Sequence, residues 1–340
     1  MLKRMFIITT LILFLLTLTS CSLTAQDLHE VSHRVDVPPN MLFLGDSIPA
    51  GYGLEGYSSD NLYNCRSYPN ILAEKYNNEL KNECGNAMIN KAVSGETSSE
   101  LLDLIKTGKL DSDLAKCDAV VISIGGNDLL GLIFDLFNKL GYSPDKNNFN
   151  YKNIDFLGAA DALTSINSDA DKALDNFEKI LPVLMMEIDN RTNGVIYIQT
   201  LYDPLEYYSN IPKISDFSAK KIGRLNDIIK KNSEGKYCVI DIASTFSGQA
   251  EIVTNIKDFD IHPNYLGHQL IADEIDSEFR QTTFTYTTEE FGEKYLTKEG
   301  YLLIAGGVLL SILALTVPAI LVGKSTKKKS SSIEQENNQF

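Results

Sequence analysis

The chain has 340 residues, 44% of them hydrophobic and 22% charged, with 10 prolines and 22 glycines; this ordinary globular composition excludes a disordered, collagen-like or coiled-coil protein. Lys and Arg number 31 against 45 Asp and Glu, a formal charge of −14, which argues against nucleic acid as the main partner. The apolar residues gather in two runs at the two ends and leave a polar, patterned middle.

At the start, Lys3 and Arg4 precede an uncharged stretch rich in Leu, Ile and Phe, and residues 1–20 therefore read as a secretory signal peptide. Leu18-Thr19-Ser20-Cys21 follows and resembles the lipobox of bacterial lipoproteins, which implies lipidation of Cys21. An uncleaved anchor or a general secretory cleavage are the competing readings. Residues 21–36 are a linker holding His29 and His33, both expected to be solvated.

Residues 37–281 read as one α/β domain without internal repeats. Apolar runs at 41–44, 87–93, 119–124, 195–200 and 238–242 predict five buried strands. Helical spacing follows at 67–76, along the stripe Leu174, Phe177, Leu181, Leu184 and Ile188, and at 217–231 and 267–279. Alternation of strands and helices implies parallel pairing with right-handed crossovers, and so a three-layer α/β/α sandwich on a five-stranded parallel sheet. Ligands bind such sheets at the carboxyl ends of the strands. Between Leu130 and Asp171 the pattern loosens into an apolar piece, 130–140, and then an Asn- and Asp-rich loop, read either as a lid or acyl-chain wall or as a packed insertion.

Residues 282–300 are polar and predict a stalk. The 23 residues of 301–323 carry no charge, enough at about 1.5 Å per residue to cross a bilayer core of about 30 Å, and predict a transmembrane helix. Lys324, Lys327, Lys328 and Lys329 follow, so the tail 324–340 is expected in the cytoplasm and the domain outside the cell membrane. Besides Cys21 there are Cys65, Cys84, Cys117 and Cys238, whose spacing fits no zinc pattern. Cys65 and Cys84 flank one predicted helix too long for a bridge between them, and free, partly buried thiols are the expectation.

The chemistry-bearing residues sit just past the strands. Gly45-Asp46-Ser47-Ile48-Pro49-Ala50-Gly51-Tyr52-Gly53 follows the first and offers the Ser47 hydroxyl on a tight turn, with a helix N-cap as the plainer role for Ser47. Asn90-Lys91-Ala92-Val93-Ser94-Gly95-Glu96-Thr97, the second block, offers at Gly95 a bare backbone that can come close to a ligand. Gly125-Gly126-Asn127-Asp128 follows the third and offers a side-chain amide; turn and cap roles would also account for these residues. Asp260-Ile261-His262-Pro263-Asn264 precedes the last helix, while His268, inside that helix, reads as a packing or surface residue.

These four blocks, in this order and across almost the whole domain, resemble the SGNH or GDSL family of serine esterases and lipases. The matches are Gly45, Asp46 and Ser47, then Gly95, then Gly125, Asn127 and Asp128, then His262. Leu201-Tyr202-Asp203-Pro204 and Gly267-His268 are similar to secreted bacterial members. The resemblance implies a flavodoxin-like sandwich with Ser47 as nucleophile, His262 as general base, and an oxyanion hole from the backbone N–H groups of Ser47 and Gly95 with the Asn127 amide. The family's acid stands three residues before the histidine, where this chain has Phe259 between Asp258 and Asp260. In an extended loop a residue two before the histidine points the same way, so Asp260 is preferred, with Asp258 or a main-chain carbonyl as alternatives.

The implied reaction is cleavage of a carboxylic ester, of a lipid or lysophospholipid or of an O-acylated glycan, through an acyl-enzyme, with neither metal nor organic cofactor. The expected partners are that ester and a membrane, the chain itself being a monomer. Two other outcomes remain open: a surface lipoprotein that binds glycan or lipid with little turnover, suggested by the displaced acid, and acyl transfer to an alcohol by the same residues.

Overall fold

The computed structural model describes residues 24–129, 132, 156–210, 212–233, 235–258, 260–313 and 316. The expected signal peptide 1–20, Cys21, the expected tail 324–340 and almost all of the apolar piece 130–140 lie outside these residues. The chain divides into two compact units, His33–Tyr286 and a smaller one formed by the residues on either side of it.

In the larger unit, β3 (Asn40–Gly45), β4 (Ala87–Asn90), β5 (Ala119–Ser123), β6 (Val195–Gln199) and β7 (Cys238–Ile240) form one sheet in the order β4-β3-β5-β6-β7. All four pairings are parallel, with Leu42 opposite both Ile89 and Val120, and Ile198 opposite Val239. The chain leaves β3 for one neighbour and returns to its other side for β5, so the order reverses there, and a crevice opens at the carboxyl ends of β3 and β5.

The central strands β3, β5 and β6 are buried on both faces, most of their residues on either side being apolar, while the edge strands β4 and β7 are only partly covered. Leu42, Leu44, Val120, Ile122, Ile196 and Ile198 belong to one core cluster, together with Leu101 and Ile105 of a helix at Ser98–Lys106 and the stripe Leu174, Phe177, Leu181, Leu184 and Ile188. Met41, Phe43, Ala119, Val121, Tyr197 and Ile240 belong to the other, with Tyr68, Leu72 and Tyr76 of a helix at Tyr68–Glu79 and Ile271, Ile275 and Phe279 of one at Tyr265–Phe279. In chain order the helices that carry the layers and the site are α1 (Ser47–Ala50), α2 (Tyr68–Glu79), α3 (Ser98–Lys106), α4 (Phe156–Asp189), α5 (Pro212–Asn232) and α6 (Tyr265–Phe279), with short helical turns at Asp111–Leu114, Ile242–Phe246 and Ala250–Val253 between them. A parallel sheet between two helical layers is thus the observed architecture.

Several boundaries differ from the sequence reading. The expected Asn- and Asp-rich loop up to residue 171 is helical from Phe156 onward, because Ile166 and Ala170 extend the buried stripe of Leu174 at a spacing of four. Asp169 and Asp171 lie on the solvent side, where Asp171 accepts Lys221 Nζ at 2.7 Å. The second strand stops at Asn90, whose Oδ1 accepts the Ala92 N–H at 3.1 Å and turns the backbone. The fifth stops at Ile240, since Asp241 caps the helical turn Ile242–Phe246.

Residues 282–300, expected as a plain stalk, contain β8 (Phe284–Phe291) and β9 (Tyr295–Leu296), and the linker contains β1 (Thr24–Ala25) and β2 (Leu28–Val35). Within the smaller unit, β1 pairs antiparallel with β9, Thr24 opposite Leu296. β2 pairs with β8, and the division between the two units falls within both strands. His33 is not simply solvated, because its ring stacks on Tyr286 at 4.8 Å. Residues 298–313 are helical, and their large apolar side chains, from Tyr301 at 64% to Leu313 at 48%, are exposed. Among the described residues no helix is long and apolar enough to cross a membrane; of the expected span 301–323, positions 314, 315 and 317–323 lie outside them. Cys65, Cys84, Cys117 and Cys238 are free thiols, Cys65 and Cys117 buried.

Candidate active site

Construction of the site begins at Gly45. Its φ is +114°, and a Cβ there would lie 1.8 Å from the Ser123 carbonyl oxygen of β5, so only glycine lets the chain turn against its neighbour. The Asp46 N–H donates to that same oxygen at 3.0 Å. The Asp46 carboxylate accepts the Ile48 N–H at 3.0 Å and the Ser123 hydroxyl at 3.3 Å. Asp46 is therefore the N-cap of α1 in place of Ser47, which becomes the first helical residue, with a backbone N–H that has no intrahelical carbonyl to bond. Burial pushes the Asp46 carboxyl up to about 7, against the hydrogen bonds from Ile48 and Ser123.

Ser47 Oγ lies 2.8 Å from His262 Nε2, across 215 positions of sequence. A closed loop holds the imidazole there. Thr254 and Pro263 form an antiparallel bridge, the Asn255 N–H donates to the His262 carbonyl at 3.0 Å, and the Tyr202 hydroxyl donates to the Ile261 carbonyl at 2.8 Å. Asp260 Oδ1 accepts the His262 backbone N–H at 3.0 Å and sits 2.5 Å from Nδ1. A carboxylate only accepts, so Nδ1 carries a proton and Nε2 is left to accept the Ser47 hydroxyl. Asp258 lies in the 3₁₀ turn Ile256–Asp258 and is exposed, away from the ring bond that Asp260 makes. His268 packs in the core. It is fully buried, its Nδ1 accepts the Tyr68 N–H at 3.2 Å, and burial pushes it down to about 3, so it is neutral.

The second and third blocks are knit to the first. The Val93 N–H donates to the Gly45 carbonyl at 2.8 Å, and the Asn90 amide donates to the Pro49 carbonyl at 2.7 Å. Asn127, in the helical turn at 126–129, donates from Nδ2 to the Glu96 carbonyl at 3.0 Å, and its amide has a second N–H for another acceptor. Asp128 accepts both the N–H and the hydroxyl of Ser98, at 3.0 and 2.6 Å, and anchors the start of α3. Gly95 is exposed beside these groups. The ends of β3, β4 and β5 thus converge on one open surface with a hydroxyl, an imidazole–carboxylate pair and amide donors.

Three features here went unread in the sequence. Asn90, inside the second block, is the tether to the Ser47 turn. Glu96, next to Gly95, is buried, with Oε2 lacking any hydrogen-bond partner; burial pushes its carboxyl up to about 8, aided by the charges of Glu100 and Asp46. Tyr52 packs its ring on His262, with centroids 4.6 Å apart. The Gly-Tyr-Gly run was the available signal for the last. Nothing in the sequence distinguishes a buried Glu96 from a solvated one. Among the described residues no group of three or more His, Cys, Asp and Glu is placed to hold a metal ion.

Comparison with known proteins gives the family and the fold. The model of the GDSL-like lipase/acylhydrolase family matches residues 43–270. The uncharacterized protein YpmR of Bacillus subtilis (strain 168) is 22% identical over 279 residues, covering 79% of this chain and 93% of that protein. Among solved structures, the lipase Lip_vut3 from a goat rumen metagenome is similar over 70% of this chain and 96% of its own, at 20% identity and a TM-score of 0.51. The extracellular lipase of Streptomyces rimosus is similar over 70% and 98%, at 18% identity and a TM-score of 0.51. At these identities the two structures share the fold.

Proposed function

Because the chain belongs to the GDSL-like lipase/acylhydrolase family and is a hydrolase acting on esters, we propose that it cleaves carboxylic esters outside the cell through an acyl-enzyme on Ser47, with His262 as general base and Asp260 as the orienting acid. The observation that carries this reading is the chain of contacts from Ser47 Oγ to Nε2 at 2.8 Å and from Nδ1 to Asp260 at 2.5 Å.

His262 takes the Ser47 proton as Oγ attacks the ester carbonyl. The Ser47 and Gly95 N–H groups and the second N–H of the Asn127 amide receive the charge developing on the carbonyl oxygen, each such donor contributing about 3–4 kcal/mol. The imidazolium, held by Asp260, then gives its proton to the departing alcohol, and water releases the acid by the same steps in reverse order. The contact of Asp260 with the ring, from two residues away, supports turnover over a binding module. Acyl transfer to an alcohol uses the same groups, and product analysis with an added alcohol separates it from hydrolysis.

The location follows the ends of the chain. The domain is tethered by lipid on Cys21 and by a helix over 301–323, with 324–340 inside the cell; the exposed apolar side chains at 301–313 support this reading. Mass determination of the mature N-terminus and protease protection of the tail test it.

For the chemistry, a fluorophosphonate probe is expected to label the wild-type chain and not Ser47→Ala, and p-nitrophenyl acetate hydrolysis is expected to vanish in that variant. Full activity in Ser47→Ala refutes the assignment.

A further inference from the structure

The segment after α1 lies along the imidazole. The Tyr52 N–H donates to the Ser47 carbonyl at 3.0 Å, and the Tyr52 ring sits 4.6 Å from that of His262, tilted by 47°. The Tyr57 ring meets Tyr52 edge-on at 5.3 Å, and its hydroxyl donates to Ser94 Oγ at 3.0 Å, directly before Gly95. A Cβ on Gly53 would lie 2.8 Å from Asp260 Oδ2, so the segment is pressed against the acid as well. Despite these contacts Tyr52 remains 44% exposed, and Gly53, Val93, Ser94 and Gly95 around it are exposed too.

The reaction gives this wall a side. The carbonyl oxygen turns toward Gly95 and Asn127, and the leaving oxygen must reach the proton on His262 Nε2. The alcohol half of the ester therefore departs past the imidazole, where Tyr52 stands. An aromatic side chain left 44% exposed beside the hydroxyls of Tyr57 and Ser94 suits an alcohol that is apolar on one face and hydrated at its edge. A sugar ring has that form. The open rim suits an alcohol that continues beyond the scissile bond, whereas a long acyl chain requires an enclosing apolar pocket.

We propose that Tyr52, buttressed by Tyr57, is the platform for the alcohol half of the substrate, and that this alcohol is a sugar ring, which makes the substrate an O-acylated carbohydrate. This rests on the serine-hydrolase reading above and names its substrate class. In the step concerned, the bond from the acyl carbon to the sugar oxygen breaks and the bond to Ser47 Oγ forms. The proton taken from Ser47 leaves on the sugar hydroxyl, and water then cleaves the acyl-Ser47 ester to the free acid.

The test compares kcat/KM for 6-O-acetylglucose, ethyl acetate, acetylcholine and lysophosphatidylcholine with the full chain in mild detergent. The wild type should favour the sugar ester. In Tyr52→Ala the ratio of sugar ester to ethyl acetate should fall about threefold to tenfold, mainly through KM, and Tyr52→Trp should restore it. An unchanged ratio, with both esters slowed alike, means that Tyr52 only packs the imidazole and overturns the proposal. Preference for acetylcholine or lysophosphatidylcholine, controlled by Tyr52, overturns it in favour of cation recognition. If no ester is hydrolysed and no fluorophosphonate label appears on Ser47, the hydrolase reading itself falls and this one with it.

Discussion

Glu96→Gln is the sharpest test of how the buried carboxyls near the site affect stability. In the folded chain burial raises the Glu96 carboxyl from its ordinary 4.5 to about 8, and Oε2 has no partner to stabilise a charge. A raised acid favours the folded state fully below about 4.5, and that contribution is lost as the pH rises through about 8, because the unfolded chain has already given up its proton. At about 1.36 kcal/mol per pH unit the upper bound is about 5 kcal/mol, and the solvent contact that Glu96 keeps brings it to on the order of 2–3 kcal/mol. Glutamine has the shape of the protonated acid and cannot ionise. Urea unfolding of the full chain in detergent should therefore find Glu96→Gln and wild type within about 1 kcal/mol at pH 5. At pH 9 the variant should be more stable by on the order of 2–3 kcal/mol. Equal stability at both pH values, or a variant weaker at pH 9, refutes the reasoning. Asp46, raised to about 7, has the same sign, so some alkaline loss should remain in the variant.

Two further outcomes follow from the geometry. Asp260→Asn should lower kcat for p-nitrophenyl acetate by roughly 10³–10⁴ through loss of the ring's orientation, while Asp258→Asn should stay within about twofold of wild type; steady-state kinetics on both variants separates the two acids. Gly45→Ala places a methyl 1.8 Å from the Ser123 carbonyl at a positive φ, and should abolish both soluble expression and Ser47 labelling, the readouts being yield and fluorophosphonate reactivity.

Much of this arrangement was readable before any coordinates. The five strands were legible because both faces of each are apolar, and the stripe from Leu174 to Ile188 because its spacing admits only one buried face. Strand lengths were less so. A side chain such as Asn90 or Asp241 that bonds the backbone ends a strand without altering its apolar pattern. The helical start of α4 was hidden by Asn and Asp residues on its solvent side, where composition says loop and packing says helix. The β8 segment carried an alternating aromatic and β-branched signal in Phe284-Thr285-Tyr286-Thr287, which its polar neighbours masked.

By itself the order of residues determined the sheet, its two helical layers, the three blocks at strand ends and the fourth before the last helix, since these depend on periodicity and on turn residues local to each element. Only the folded chain decided which carboxylate meets His262, that Asp46 rather than Ser47 caps the turn, and that Glu96 is buried while Tyr52 faces solvent. Those are distances between segments as far apart as 215 positions, and local composition has no access to them, because burial and hydrogen-bond partners are properties of the surroundings and not of the residue.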